Sequence, residues 1–223
     1  MPIFLYKGYI IMISERIKRI SSYIKPYKVI ADVGCDHGYL IKYAFDNYNI
    51  TEAYAIDNKK GPLDSAKNNL KDYNNVKYFL SDGLDSIGDN VEVVVIAGMG
   101  GMLIKDIITK NISRINNVKR FVLQANKNVY ELRKFMCEND YLISHEEILE
   151  EDGKFYEIVV FEKGKADYNF DDLFFGPILL KEKNDVFLKK WTDIYEKLDS
   201  IVVYHDDEDK KDLLKGIKKA ICK

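Results

Sequence analysis

The sequence predicts a doubly wound α/β domain followed by an antiparallel helical hairpin. Three observations lead there. Short aliphatic runs alternate with stretches of helical spacing, which implies right-handed βαβ crossovers. The runs end on acids, glycines or amides. Beyond residue 177 the pattern becomes a heptad seam.

Totals set the bounds. With 223 residues, 47% of them hydrophobic, the chain can core one domain of ordinary size and carry an appendage. Lys+Arg 34 against Asp+Glu 36 gives a formal charge of −2, so the molecule as a whole is not a basic nucleic-acid binder, although a local patch remains open. Cys35, Cys137 and Cys222 form no CxxC pair and no metal spacing, which implies reduced thiols and no metal site. The apolar stretch from Ile3 to Ile13 is broken by Lys7 and Gly8. It is too short for a bilayer and lacks a small-residue cleavage site. The expectation is a cytoplasmic protein with no membrane contact, a monomer with a dimer left open.

Residues 1–12 are expected as a loosely placed N-terminal extension. Ser14 can then cap a helix with an apolar stripe at Ile13, Ile17, Ile20 and Ile24, ended by Pro26. Arg16, Lys18 and Arg19 lie off the stripe, as a solvated face or as a small phosphate contact. Strands follow at Val29–Val33, Glu52–Ile56, Val76–Leu80, Val91–Ile96 and Arg120–Leu123. The fourth is almost wholly aliphatic, as a strand buried on both faces should be. Helices fall at Tyr39 to about Tyr48, Pro62–Lys71, Met102–Lys110 and Val129–Glu138. Two more strands, about Tyr141–Leu149 and Phe155–Glu162, join through Glu150-Glu151-Asp152-Gly153, a hairpin signal. The main domain is thus 13–162 and the linker 163–177, rich in Gly and Asp. The hairpin is 178–223, with Phe187, Trp191, Ile194, Leu198 and Ile201 on its first seam and the acidic run Asp206–Asp209 breaking it. From Lys181 to Lys223 there are 11 lysines and 10 acids, so charge does not decide between a packing appendage and a grip on substrate.

In such a sheet, ligands bind beyond the carboxyl ends of the strands. Asp32, Gly34, Asp36, His37 and Gly38 form the first strand end. Asp57-Asn58 forms the second, where a carboxylate can accept from adjacent ribose hydroxyls. Asp82 at the third can accept from an adenine amino group, beside the Gly83 and Leu84 backbone. The glycine spacing separates two cofactors. A dinucleotide loop wants G-x-G-x-x-G to seat a pyrophosphate. Here Asp36 stands where a middle glycine is common, and an acid would repel a diphosphate. It suits the sulfonium and amino group of S-adenosylmethionine, which disfavours NAD.

Several blocks then resemble one family. They are Ser14-Glu15-Arg16, Asp32 through Leu40, Gly61-Pro62, Ser81-Asp82-Gly83-Leu84, Ala97-Gly98-Met99-Gly100-Gly101, Gln124-Ala125-Asn126 and Glu150 through Glu157. In this order they resemble the bacterial tRNA (adenine-22 N1)-methyltransferases. The likeness departs at Gly38, where alanine is common, and at Ala125, where proline is common. The resemblance implies a Rossmann-like methyltransferase sheet and transfer of methyl from S-adenosylmethionine to adenine N1 in tRNA. It implies Asp32, Gly34, Asp36, His37, Gly38, Asp57, Asn58, Asp82, Gly83, Leu84 and Gly98 around the cofactor. A Gly98–Gly101 loop would line the base, with Met99 as an apolar wall. Gln124 and Asn126 would meet the base edge, or alternatively cap the loop. Arg16, Tyr39, Gly100 and Gly101 would meet the substrate. His37 is expected to bind or pack rather than to act as a base, since neutral adenine N1 needs no deprotonation. Rival readings are a methyltransferase of proteins or small molecules, and a non-catalytic cofactor-binding RNA module.

Overall fold

The computed structural model of the chain describes residues 3–6, 9–202 and 207–222, with side chains from Ile13 to Ile201 and from Asp207 to Cys222. Strands β1 (Ile3–Tyr6) and β2 (Tyr9–Met12) pair antiparallel as a sheet of their own. The expected extension 1–12 is thus a ribbon in its described part, with residues 1, 2, 7 and 8 outside the described residues. Helix α1 (Glu15–Ser22) follows, its Ile17 amide donating to the Ser14 hydroxyl at 3.3 Å.

The main sheet has seven strands: β3 (Val29–Val33), β4 (Glu52–Asp57), β5 (Val76–Leu80), β6 (Val93–Met99), β7 (Arg120–Ala125), β8 (Tyr141–Glu151) and β9 (Lys154–Lys163). Their order is β5-β4-β3-β6-β7-β9-β8. The first five are parallel, and the β8–β9 hairpin closes the edge antiparallel. Helices α2 (Tyr39–Asn47), α3 (Lys60–Asn69), α4 (Gly101–Lys110) and α5 (Val129–Glu138) link the parallel strands and lead to the hairpin. The chain winds outward from β3 to β5, then returns across to β6. Beyond the carboxyl ends of β3 and β6 the order reverses, and a crevice must open there. Each sheet face has its own apolar layer, with Val94, Ile96, Phe121 and Leu123 on one side and Val93, Val95, Ile41 and Val122 on the other.

Three expectations need correction. The fourth strand begins at Val93, because the Val91 amide closes a turn onto the Gly88 carbonyl at 3.1 Å. It runs on to Met99 through a bulge at Gly98, whose φ of 77° lets Met99 pair with Ala125. Only Gly100 then separates strand from helix, so the Gly98–Gly101 segment is a tight corner rather than an open loop. The stretch 163–177 is not a plain linker. It contains α6 (Phe170–Phe175), started by a reciprocal capping box between Asn169 and Asp172.

Helices α7 (Pro177–Glu182), α8 (Asp185–Val202) and α9 (Glu208–Ile221) complete the chain. The seam holds where it meets the main domain: Phe187 and Trp191 pack with Phe175, Leu179, Ile217 and Ile148 of β8. It ends in solvent, with Ile201 46% exposed. Asp206 lies outside the described residues. Asp207 caps α9 and Glu208 and Asp209 occupy its first turn, so the acids start the second helix. The hairpin is bolted to the sheet by ions. Arg133 of α5 is wholly buried, with Nε 2.8 Å from Glu146 and Nη2 2.5 Å from Glu157. Glu146 also accepts the Ile178 amide at 2.9 Å, and Glu157 also pairs with Lys190 of α8.

Candidate functional site

A cleft of about 430 Å³ opens at the reversal between β3 and β6. Asp32, Asp36 and Asp57 all line it. Asp57, nearly buried at the end of β4, holds the first loop in place: Oδ2 accepts the Asp36 amide at 3.1 Å and Oδ1 the Lys59 amide at 2.9 Å. The Gly34 and Cys35 amides reach across to the Ile56 carbonyl at 2.8 and 3.0 Å. These bonds draw the β3 and β4 ends together, and Gly34 takes a φ of 76° to make the bend.

The three carboxylates make the inner cleft acidic. Burial raises the Asp32 carboxyl to about 7, and the neighbouring Asp57 and Asp36 charges add to the effect. Burial, with Asp32 beside it, also pushes the Cys35 thiol far up, so it is no nucleophile at neutral pH. His37 is half-exposed, 3.6 Å from Asp36 and 5.6 Å ring to ring from Tyr39. It contacts cleft groups but hydrogen-bonds no triad partner among the described residues.

Two cationic side chains, Lys59 and Arg16, line this wall. Arg16 of α1 lines the cleft, with Nη1 donating to Gln124 Oε1 at 2.7 Å and its guanidinium 4.8 Å from the Tyr156 ring centre. Its Nε is buried and has no hydrogen-bond partner among the described residues. The Glu-Asp-Gly-Lys hairpin secures this placement, because Glu151 accepts the Glu15 amide at 2.7 Å and the Arg16 amide at 3.4 Å. Tyr156 and Glu151 hold Arg16 in place, and no single residue in the sequence pointed to either. Their signal was the motif block itself, whose purpose shows only when β9 lies beside α1.

A second part of the cleft, about 340 Å³, shares Gly34, Asn58, Lys59 and Met99 with the first and extends to Asp82, Leu103 and Asp106. Met99 divides the two. Its Cε lies 2.2 Å from where a Cβ on Gly34 would stand, so a larger residue there would have to displace the Met99 side chain. Asp82 is exposed at the mouth, whereas the Gly83 amide donates to Ser81 Oγ at 3.2 Å and the Leu84 side chain is in the core. Lys59 and Leu103 are lining residues that the sequence reading did not single out.

The amides at the end of β7 act differently from each other. Gln124 is 0% exposed; its Oε1 serves Arg16 and the Gly98 amide (3.1 Å), and its Nε2 donates to Asn126 Oδ1 at 3.1 Å. Its expected contact with a base edge is therefore corrected: a side chain with no exposed surface holds the corner and Arg16. Asn126 is exposed, and its Nδ2 donates to the Gly98 carbonyl at 2.8 Å. Gly101 is buried, where a Cβ would lie 2.3 Å from the Asn128 carbonyl, so it serves close packing rather than an open surface. Gly100 is partly exposed at the corner. No group of His, Cys, Asp and Glu able to hold a metal ion occurs among the described residues.

Comparison with known proteins identifies the family. The family model for tRNA (adenine(22)-N(1))-methyltransferase matches residues 30–223. The Bacillus subtilis tRNA (adenine(22)-N(1))-methyltransferase is 35% identical over 222 residues, covering 92% of each chain. A solved structure of the B. subtilis m1A22 tRNA methyltransferase superposes with a TM-score of 0.84 at 33% identity, covering 95% of this chain and 99% of that one. A Streptococcus pneumoniae protein solved in complex with S-adenosyl-L-methionine superposes with a TM-score of 0.89 at 34% identity, covering 95% and 100%. Matched along nearly its whole length by model, relative and structure, the chain belongs to the tRNA (adenine(22)-N(1))-methyltransferase family.

Proposed function

We propose that the acidic cleft binds S-adenosylmethionine through Asp32, Asp36, Asp57 and Arg16, and that the Gly98–Gly101 corner presents a tRNA adenine to it. The chain is an S-adenosylmethionine-dependent tRNA (adenine-N1)-methyltransferase acting at position 22. One observation carries the site assignment: Asp32, its carboxyl raised to about 7 among like charges, shares a cleft with Arg16, whose buried Nε has no hydrogen-bond partner among the described residues. A ligand with a cationic group and a carboxylate satisfies both. When bound, the cofactor supplies an electrophilic methyl on a sulfonium.

The carboxylates offer acceptors to the cationic end. Arg16, expected to meet RNA phosphate, is better placed for the cofactor carboxylate, because Gln124 and Tyr156 hold it in the cleft wall. Each Asp57 oxygen already accepts one amide and keeps lone-pair capacity for a ribose hydroxyl. Asn58, Gly34, Gly38, His37 and Gly98 complete the walls. Asp82 and the Gly83–Leu84 backbone face the adenine end.

Adenine N1 carries its own lone pair, so the residues around it need only orient it and exclude water. Orientation alone can lower a barrier by roughly 7–11 kcal/mol in favourable cases. Met99 and Gly100 form the apolar wall for the base, Asn126 is the amide that can reach its edge, and Tyr39 borders the approach. Gln124 is a positioning residue. No described helix is long and apolar enough to cross a membrane. A monomer working in the cytoplasm accompanies this reading.

Incubation with unmodified tRNA and S-adenosylmethionine should give 1-methyladenosine at position 22 by nucleoside and fragment mass spectrometry. Cofactor binding with no product on any tRNA would point instead to a non-catalytic RNA module.

A further inference from the structure

A second cavity, about 400 Å³, opens where the end of β7 and the start of α5 meet β9, α6 and α8. It has no lining residue in common with the acidic cleft. Yet it borders the reaction corner. Asn126 lines it, and the same residue donates from its backbone to the Met99 carbonyl at 2.7 Å and from its side chain to Gly98.

The wall is aromatic. Tyr130, Phe155, Phe174 and Trp191 line it, with the Tyr130 and Phe174 ring centres 6.1 Å apart and those of Phe174 and Trp191 5.6 Å apart. Tyr130 and Phe155 are only partly buried, which leaves ring surface uncovered. The rim carries the Asn126 and Asn128 amides and Lys127, which has no ion-pair partner among the described residues. Two acids are present. Glu157 is neutralised by Arg133 and Lys190, and Glu131 stands at the rim. Flat apolar surface edged by amides and one available cation suits a planar heterocycle attached to a phosphate chain.

We propose that this cavity takes a nucleobase of the RNA adjacent to the methylated adenine, stacked against Tyr130 and Phe155. The proposal rests on tRNA being the substrate. N1 lies on the Watson–Crick edge, so the target base must leave its pairing before it reacts. Its neighbour then loses a stacking partner, and an aromatic wall replaces that partner with little regard to base identity. The target itself is unsuited to this cavity, because the hydrogen-bonded unit of Gln124, Asn126 and Gly98 stands between it and the acidic cleft.

The test combines protein and RNA changes. Tyr130→Ala with Phe155→Ala should raise the KM for tRNA about tenfold. An unchanged S-adenosylmethionine Kd and melting temperature will show that the variant is folded. In the wild-type enzyme, a tRNA abasic at one nucleotide flanking the target should lose a similar factor. In the variant, the same abasic tRNA should lose nothing further, because both changes remove one contact. An unaltered KM, or losses that multiply at both flanks, would overturn the proposal. If the wild-type enzyme makes no 1-methyladenosine from intact tRNA, the substrate reading fails first and the proposal with it.

Discussion

Arg16 and Gln124 meet at 2.7 Å, Nη1 to Oε1, and through this contact the first helix is joined to the Gly98–Gly101 corner. The same Gln124 oxygen accepts the Gly98 amide, and its nitrogen reaches Asn126. A single buried amide therefore sets the cation of the cleft wall and the bulge that ends β6. Gln124→Leu keeps the volume but removes both contacts, leaving a part-buried guanidinium and the part-buried Gly98 amide N–H short of an acceptor. An unsatisfied buried group costs about 1–3 kcal/mol, more when charged. We expect kcat/KM to fall by about tenfold or more. Gln124→Glu, which keeps the acceptor for Arg16, should recover part of the loss. Equal losses in both variants, with a matching fall in melting temperature, would reduce Gln124 to a packing residue.

Arg16→Met tests the cofactor carboxylate. A charge-assisted hydrogen bond contributes about 1.5–3 kcal/mol, so the Kd for S-adenosylmethionine should rise by about tenfold to a hundredfold. The Kd for methylthioadenosine, which lacks the amino acid portion, should not move. Calorimetry on both ligands separates the two cases. If both weaken equally, Arg16 supports the fold of the cleft and does not read the carboxylate.

The parallel sheet was legible because aliphatic strands and turn residues recur in register; the boundaries shift where a turn bond delays the start of β6 and where ladder pairing carries β4 and β7 one or two residues further. The acids at the strand ends were legible as chemistry because Asp32, Asp36 and Asp57 converge in any fold of this winding. What stayed hidden depends on contacts remote in sequence. Nothing in Arg16 alone says that Tyr156 lies under it or that Gln124 takes its proton donor. The burial that removes Gln124 from the base edge was equally invisible, since Gln124 and Asn126 look alike as letters. Residues 163–177 read as a linker from their Gly and Asp content, although the same Asn169 and Asp172 build a helix start.

Titration of Asp32 should govern cofactor binding below neutrality. Its folded pKa is about 7, raised from 3.8 by burial and then by Asp57 and Asp36. The ionised form is the one that attracts a cation, so the Kd should be flat above pH 7 and rise as pH falls through it. Asp32→Asn should weaken binding and flatten the profile. The sign for stability is opposite. A raised folded pKa contributes stability that is fully present below the unfolded value of 3.8 and is lost as pH rises through about 7. The ligand-free Asp32→Asn protein should therefore melt higher than wild type at pH 8, by several degrees at about 2–4 °C per kcal/mol. A lower melting temperature there would show that the Asp32 carboxylate is stabilised by the fold.

The ion cluster under the hairpin makes the last case. Burial alone would lower the Arg133 pKa, but Glu146 and Glu157 raise it and keep it charged. Burial acts upward on both acids: Glu146 stays raised, whereas Arg133 and Lys190 bring Glu157 below its usual value. Arg133→Met would leave two buried carboxylates with Lys190 alone between them. Breaking a buried pair in this way costs about 3–5 kcal/mol. Without the guanidinium both acids would bind protons more tightly, so the deficit should be largest near pH 8 and shrink toward pH 5. Urea unfolding across that range reads this directly. The quadruple change Arg133→Met, Glu146→Leu, Glu157→Leu, Lys190→Met should recover much of the loss, because it also removes the lysine that Glu157 neutralises and leaves an apolar joint. A deficit in Arg133→Met independent of pH would mean that lost packing, and not exposed charge, is what the arginine prevents.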